Sequence, residues 1–189
     1  MEQDKKFYTL IVFSENFAGR LNQVTAVFTP RQVNIESLNV SASSIKGVHK
    51  YTITCWSDEE QIQIITKQIE KRIDVLQAHY FTDDQIFIQE VALYKLSTDA
   101  VLGNPAISSA VRHHGAQIVE VNPTYTVVSK KGLTEDILSL YYALAEYKCV
   151  LQYVRSGRIA ITKSCTEYLD EFLEERRKAY EEQKNKPKA

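Results

Sequence analysis

The sequence predicts an α+β protein built from two ferredoxin-like βαββαβ domains with a charged C-terminal helix. Three observations carry that prediction. Short β-rich apolar runs alternate with amphipathic segments at helical spacing across residues 7–81. The same order of elements recurs across residues 86–162 without repeating the letters. From residue 164 the chain turns to Glu, Lys and Arg around a narrow apolar stripe. The predicted domains are residues 1–82 and 83–163, divided near the polar break Thr82-Asp83-Asp84, with a helical tail over residues 164–189.

In the first domain the apolar run at residues 7–13 is the first strand. After Ser14-Glu15-Asn16 and Gly19, the residues Leu21, Val24, Val27 and Phe28 recur as one helix face, and Pro30 marks its end. Residues 33–42 form the second strand, 43–47 a turn, and 48–56 a third strand entered at Gly47. Ser57-Asp58-Glu59-Glu60 has the form of a capping box, with Ser57 as the cap and Glu60 reaching back. Ile62, Ile65 and Ile69 give the second helix its apolar face, and residues 73–81 are the fourth strand. Right-handed crossovers put both helices on one face of an antiparallel sheet.

The second domain opens with a strand over residues 86–96. A helix spans residues 100–114, although Gly103-Asn104-Pro105 moves its true start later. Residues 116–122 and 124–129 are strands around Pro123. Leu133, Ile137, Leu140, Tyr141 and Leu144 form a helix face, and residues 148–154 and 158–162 are strands around Ser156-Gly157. In the tail, Tyr168, Leu169, Phe172 and Leu173 offer one face for docking. Pairs such as Glu174–Lys178 add about 0.2–0.5 kcal/mol each to a helix. Beyond Tyr180 the segment reads equally as helix or as solvated tail, and Pro187 stops any helix.

Composition narrows the function. Charged residues make up 25% of the chain and the net charge is -1. No broad basic surface follows, which argues against nucleic acid as a partner. A ferredoxin-like sheet that reads RNA needs aromatics at set positions on its central strands with basic neighbours, and Val40, Ser41, Tyr51 and Thr52 do not give that pattern. Cys55, Cys149 and Cys165 have no CxxC spacing and read as reduced, buried thiols of a cytoplasmic protein. No apolar run reaches the roughly 18 residues that cross a membrane, and the charged amino end is not a signal peptide.

No catalytic or metal-ligating set emerges. His49, His79, His113 and His114 lack ligand spacing, and of the adjacent His113-His114 pair one is expected to pack and one to be solvated. P-loop, GxGxxG and GxSxG patterns are missing. The acidic pairs Glu59-Glu60 and Asp83-Asp84 lie beside caps and turns. The chain is therefore expected to be no enzyme by itself, with no catalytic residue and no metal.

What remains is the strand-to-helix joint at Gly19. Glycine there lets another molecule approach the backbone. The first free N–H groups of the helix then favour an anion such as the carboxylate of an amino acid. The same residues equally fit a tight turn at Gly19 with Asn16 capping locally.

The pattern Gly19-x-Leu21-x-x-Val24-x-x-x-Phe28, then Asn34-Ile35-x-Ser37-Leu38-x-Val40, resembles the ACT domain, a βαββαβ module that senses amino acids. Glu15-Asn16 before Gly19, with NIESLNV after the helix, more closely resembles the small regulatory subunits of acetohydroxyacid synthase, also called acetolactate synthase. The likeness continues through residues 115–121 and 124–127 to Val154-Arg155-Ser156-Gly157, covering residues 7–163.

That resemblance implies a homodimer with a branched-chain amino acid, usually valine, held between two ACT domains. By it, Asn16 and the backbone of Ala18, Gly19, Arg20 and Leu21 face the effector from one chain, and Asn34 and Ile35 face it from the other. Phe17 and Arg20 depart from the family pattern, so the effector is valine, another branched-chain amino acid, or none. Arg155, Ser156 and Gly157 resemble the segment near which relatives activate the large catalytic subunit. The resemblance implies that this partner uses thiamine diphosphate, magnesium and FAD to condense pyruvate with pyruvate or 2-oxobutyrate, while the small chain carries no cofactor. The alternative is an ACT sensor of a different metabolic enzyme or of a transcription factor.

Overall fold

The computed structural model describes residues 5–164 and 173–174. Apart from Leu173 and Glu174, which are helical, the expected tail helix lies outside the described residues, as do Cys165, Tyr168, Leu169, Phe172, Lys178 and Pro187. The chain divides into two compact units: residues up to 87 together with those from 160 onward, and residues 88–159. Among the described residues no helix is long and apolar enough to cross a membrane.

The first unit begins with β1 (Lys6–Glu15), α1 (Arg20–Thr25), β2 (Ile35–Ala42) and β3 (Val48–Ser57). It continues with α2 (Glu59–Glu70) and β4 (Val75–Phe81). The sheet is antiparallel in the order β2-β3-β1-β4, leaving β2 and β4 as its edges among the described residues. Tyr8, Leu10 and Val12 of β1 meet Val24, Val27 and Phe28 from the first helical segment and Ile62, Ile65 and Ile69 from α2. The opposite face of β1 is buried too, with Thr9, Ile11 and Phe13 no more than 4% exposed. A strand buried on both sides reads as a continuous apolar run, which is why residues 7–13 show no alternation.

Three local expectations are corrected. The helix after Gly19 ends at Thr25, and a 3₁₀ turn (Thr29–Arg31) follows. Thr25 Oγ1 donates back to the Leu21 carbonyl at 3.0 Å, competing with helix propagation, and Pro30 cannot donate at all. Val27 and Phe28 still reach the core from the turn between α1 and the 3₁₀ segment, where their N–H groups donate to Val24 and Thr25 three residues back. The cap of α2 is Asp58, whose carboxylate accepts from the Gln61 N–H at 2.8 Å. Ser57 cannot fill that role because it still pairs with Lys6 as the last residue of β3. Asp58→Ala is expected to lower unfolding free energy by about 1 kcal/mol, read as a shifted urea midpoint with unchanged slope.

The second unit is built on β5 (Ile86–Ser97), α3 (Thr98–Gly103), α4 (Pro105–His113), β6 (Gln117–Val121) and β7 (Tyr125–Gly132). It closes with α5 (Thr134–Ala145) and β8 (Val150–Arg155); the first two residues of β5, and all but the first residue of β9 (Ile159–Thr162), fall in the first unit. Strand order is β6-β7-β5-β8, and β9 also pairs with β5. Tyr94, Leu96, Val128, Ile107, Ile137, Leu140 and Leu144 form its core. The third correction falls here. The single helix expected over residues 100–114 is two helices, because Asn104 leaves helical geometry (φ -133°, ψ 101°). Its side chain caps α4 at the Ala106 N–H, and Pro105 takes the first-turn position that needs no donor.

Candidate functional site

The sequence from Ser14 to Leu21 leaves the sheet through a loop fixed at its start. Asn16 N–H donates to the carbonyl of Gly47 in the β2–β3 turn at 2.9 Å, and Glu15 N–H donates to the Asp74 carbonyl at 3.0 Å. Gly19 then adopts φ 87°, ψ -7°, a left-handed conformation that other residues take at a cost. A Cβ built on Gly19 would meet nothing within 4 Å, so the space above this backbone is open. No side chain caps α1, so the local capping role open to Asn16 is not taken up. Among the described residues, the N–H groups of Ala18 and Gly19 have no acceptor.

The Arg20 side chain is engaged by its neighbours. Its guanidinium pairs with Asp74, bonds Gln23 Oε1 at 3.2 Å, and lies 5.6 Å from the ring centroid of Phe17. The two residues that depart from the family pattern therefore engage one another. Phe17 stays 59% exposed.

Asn34 and Ile35 lie elsewhere. They line an open groove of about 360 Å³ with Asn22, Thr25, Thr29 and Val33, between the first helical segment and the start of β2. Ile35 pairs with Cys55, which pairs with Tyr8, whereas Glu15 pairs with Val48 at the other end of the sheet. The strand from Tyr8 to Glu15 is roughly 23 Å long at about 3.3 Å per residue. Within one chain Asn16, Ala18 and Gly19 follow the far end of β1 and Asn34 and Ile35 stand at the start of β2, while the helix from Arg20 leads back between them, with Asn22 already lining the groove.

In the second unit the Arg155-Ser156-Gly157 turn is held firmly. Ser156 N–H donates to the Val91 carbonyl at 2.9 Å, and Ser156 Oγ accepts from the Val91 N–H at 3.1 Å. Gly157 makes the reversal at φ 75°. Glu90, which the sequence reading does not single out, lies beneath this turn. Its side chain is 5% exposed, accepts from Thr134 Oγ1 at 2.6 Å, and faces Arg155 Nη1 at 3.5 Å and Arg158 Nε at 3.6 Å. The signal that could have found it is an acid on the side of β5 otherwise occupied by Ile86, Ala92, Tyr94 and Leu96.

Burial is the leading cause of the shifts at Cys55, Cys149 and His79. Burial, with Glu36 adding to it, pushes the Cys55 thiol up to about 12, and burial also raises Cys149. Neither is a thiolate near neutral pH. Burial lowers His79. His113 is exposed, while His114 is half-buried with its ring nitrogens near the Ala110 carbonyl and Ser139 Oγ. Among the described residues no group of three or more His, Cys, Asp and Glu side chains could hold a metal ion.

Two family models match the chain. The AHAS small subunit-like ACT domain covers residues 10–77, and the small subunit of acetolactate synthase covers residues 89–164. The acetolactate synthase small subunit of Bacillus subtilis is 31% identical over 84% of this chain and 91% of its own length. That of Mycobacterium bovis is 30% identical over 84% and 93%. The crystal structure of the acetolactate synthase small subunit from Thermotoga maritima superposes with a TM-score of 0.76 at 21% identity, covering 85% of this chain and 99% of that one.

Proposed function

From the chain's membership of the acetolactate synthase small-subunit family, we propose that it is the regulatory subunit of an acetolactate synthase. It binds the catalytic large subunit, raises its activity, and transmits feedback inhibition by valine or a related branched-chain amino acid. The condensation chemistry belongs to the partner, with its thiamine diphosphate, magnesium and FAD. Residues 1–82 form the sensing and dimerising domain, and residues 83–163 the domain that activates the partner.

The observation that carries the sensing role is the placement of the Gly19 loop and of Asn34-Ile35 towards opposite ends of a sheet whose β2 edge is open among the described residues. Unpaired strand edges invite pairing, and identical chains pair about a two-fold axis. If two copies pair their β2 edges antiparallel, the start of one β2 lies beside the end of the other. Asn34 and Ile35 of one chain then approach the Gly19 loop of its partner. In that shared site the effector carboxylate takes the free N–H groups at Ala18 and Gly19. The ammonium is accepted by the amide oxygens of Asn16 and Asn34. A short branched side chain packs on Leu21 and Ile35, and Phe17 limits its length.

Sedimentation of the purified chain should therefore give a dimer at micromolar concentration. A monomer that binds valine at full strength would exclude a shared site. The role itself is tested by adding the full chain to the catalytic subunit of the same organism and following acetolactate formation. Stimulation that valine reverses is the expected result, and unchanged activity with and without valine would contradict it.

A further inference from the structure

Glu90 is a charged residue on the buried side of a strand. Removing a carboxylate from water is costly unless several partners replace its hydration, and apolar replacements for buried ion clusters are often as stable. Holding the sheet together is therefore a weak reason to keep an acid there. Its partners suggest another reason. Thr134 opens α5, Arg155 ends β8, and Arg158 follows the Gly157 reversal. One carboxylate thus gathers three segments, and two of its partners flank the same turn. Ser156 between them is fixed separately to Val91. The Arg155 side chain is 38% exposed, so its guanidinium also reaches the surface.

We propose that Glu90 is a positioning residue for the contact with the catalytic partner. It holds the Arg155–Arg158 turn in one conformation and so presents a pre-oriented guanidinium to an acidic or carbonyl-rich surface of that partner. This rests on the reading that the Arg155 turn engages the large subunit. Preorganisation of this kind strengthens association by removing the cost of ordering a long side chain and its loop on binding.

The test uses full-length Glu90→Gln, which keeps the size of the side chain and an acceptor for Thr134 but removes the charge. Titrated into the catalytic subunit, it should need roughly tenfold more chain for half-maximal stimulation. Its valine affinity should stay within about twofold of wild type, a readout that general unfolding would move. Limited trypsin digestion, with sites identified by mass spectrometry, should cut after Arg155 or Arg158 roughly tenfold faster than in wild type. On an Arg155→Ala background the same change should add less than about twofold, because both act through one turn. If Glu90→Gln does not fold, Glu90→Asp replaces it, with a smaller effect in the same direction. A half-saturation within about twofold of wild type, or full additivity with Arg155→Ala, overturns the proposal. If the wild-type chain gives no stimulation, the regulatory reading itself fails. The trypsin comparison still decides whether Glu90 holds the turn, and equal cleavage rates overturn it.

Discussion

Gly19→Asp is expected to abolish effector binding while leaving the fold and the stimulation of the catalytic subunit in place. The backbone accepts the change at a cost: the left-handed φ strains any side chain, Asp less than most, and nothing lies within 4 Å of the new Cβ. The ligand does not tolerate it. A fixed carboxylate would occupy the space from which the effector's carboxylate reaches the N–H groups of Ala18 and Gly19. Two or three charge-assisted hydrogen bonds at roughly 1.5–3 kcal/mol each are then lost, so affinity should fall by at least about 100-fold. Gly19→Asn has nearly the same shape without the charge and should bind more tightly than Gly19→Asp. Calorimetric titration with valine, leucine and isoleucine measures both variants. Unchanged affinity in Gly19→Asp would remove the loop from the site. In the reconstituted complex Gly19→Asp should stimulate normally yet resist valine, since an effector shifts an equilibrium only through its differential binding to the two states.

Arg155→Ala is expected to do the reverse, cutting stimulation by roughly tenfold or more while the free dimer binds valine normally. Arginine at the centre of a contact is a frequent anchor, since its fork makes several hydrogen bonds at once. The fold should lose little. Glu90 keeps Thr134 and Arg158, and an ion pair to a side chain 38% exposed is discounted by solvent to about 0–1 kcal/mol. The measurement is acetolactate formation against the ratio of small to large subunit, with sedimentation as the check on assembly. Wild-type stimulation by Arg155→Ala would mean that the second domain does not activate through this turn.

The architecture was legible because the determining signals are local. Val24, Val27 and Phe28, and then Ile62, Ile65 and Ile69, repeat at helical spacing and reach the core, whereas Leu21 of the same predicted face is 44% exposed, and the turn at Gly47 and the reversal at Gly157 fall where the strands end. Boundaries shifted where one residue served two elements. Ser57 has the chemistry of a cap, but the β1–β3 ladder claims it, and the cap passes to Asp58. Thr25 fits the helical run by position, yet its hydroxyl competes for the carbonyls behind it. The Gly19 joint stood out because glycine at a strand-to-helix junction has a specific backbone meaning. That Asn34 lies at the opposite end of the sheet follows from strand order, which depends on long-range pairing. Glu90 was missed because an acid in a strand normally faces water, and its arginine partners are 65 and 68 positions away.

The most direct test of the shared site mixes two defective chains. Asn16→Ala and Asn34→Ala homodimers should each bind valine poorly, because every site contains one altered residue. In a heterodimer, one site collects both substitutions and the other collects none. After subunit exchange by dilution and reconcentration, roughly half of the dimers are mixed, and about a quarter of all sites should regain wild-type affinity. Calorimetry on the exchanged sample should show that high-affinity fraction, and on the unexchanged homodimers none. If mass spectrometry shows complete exchange and no high-affinity fraction appears, the site does not join Asn16 of one chain to Asn34 of the other.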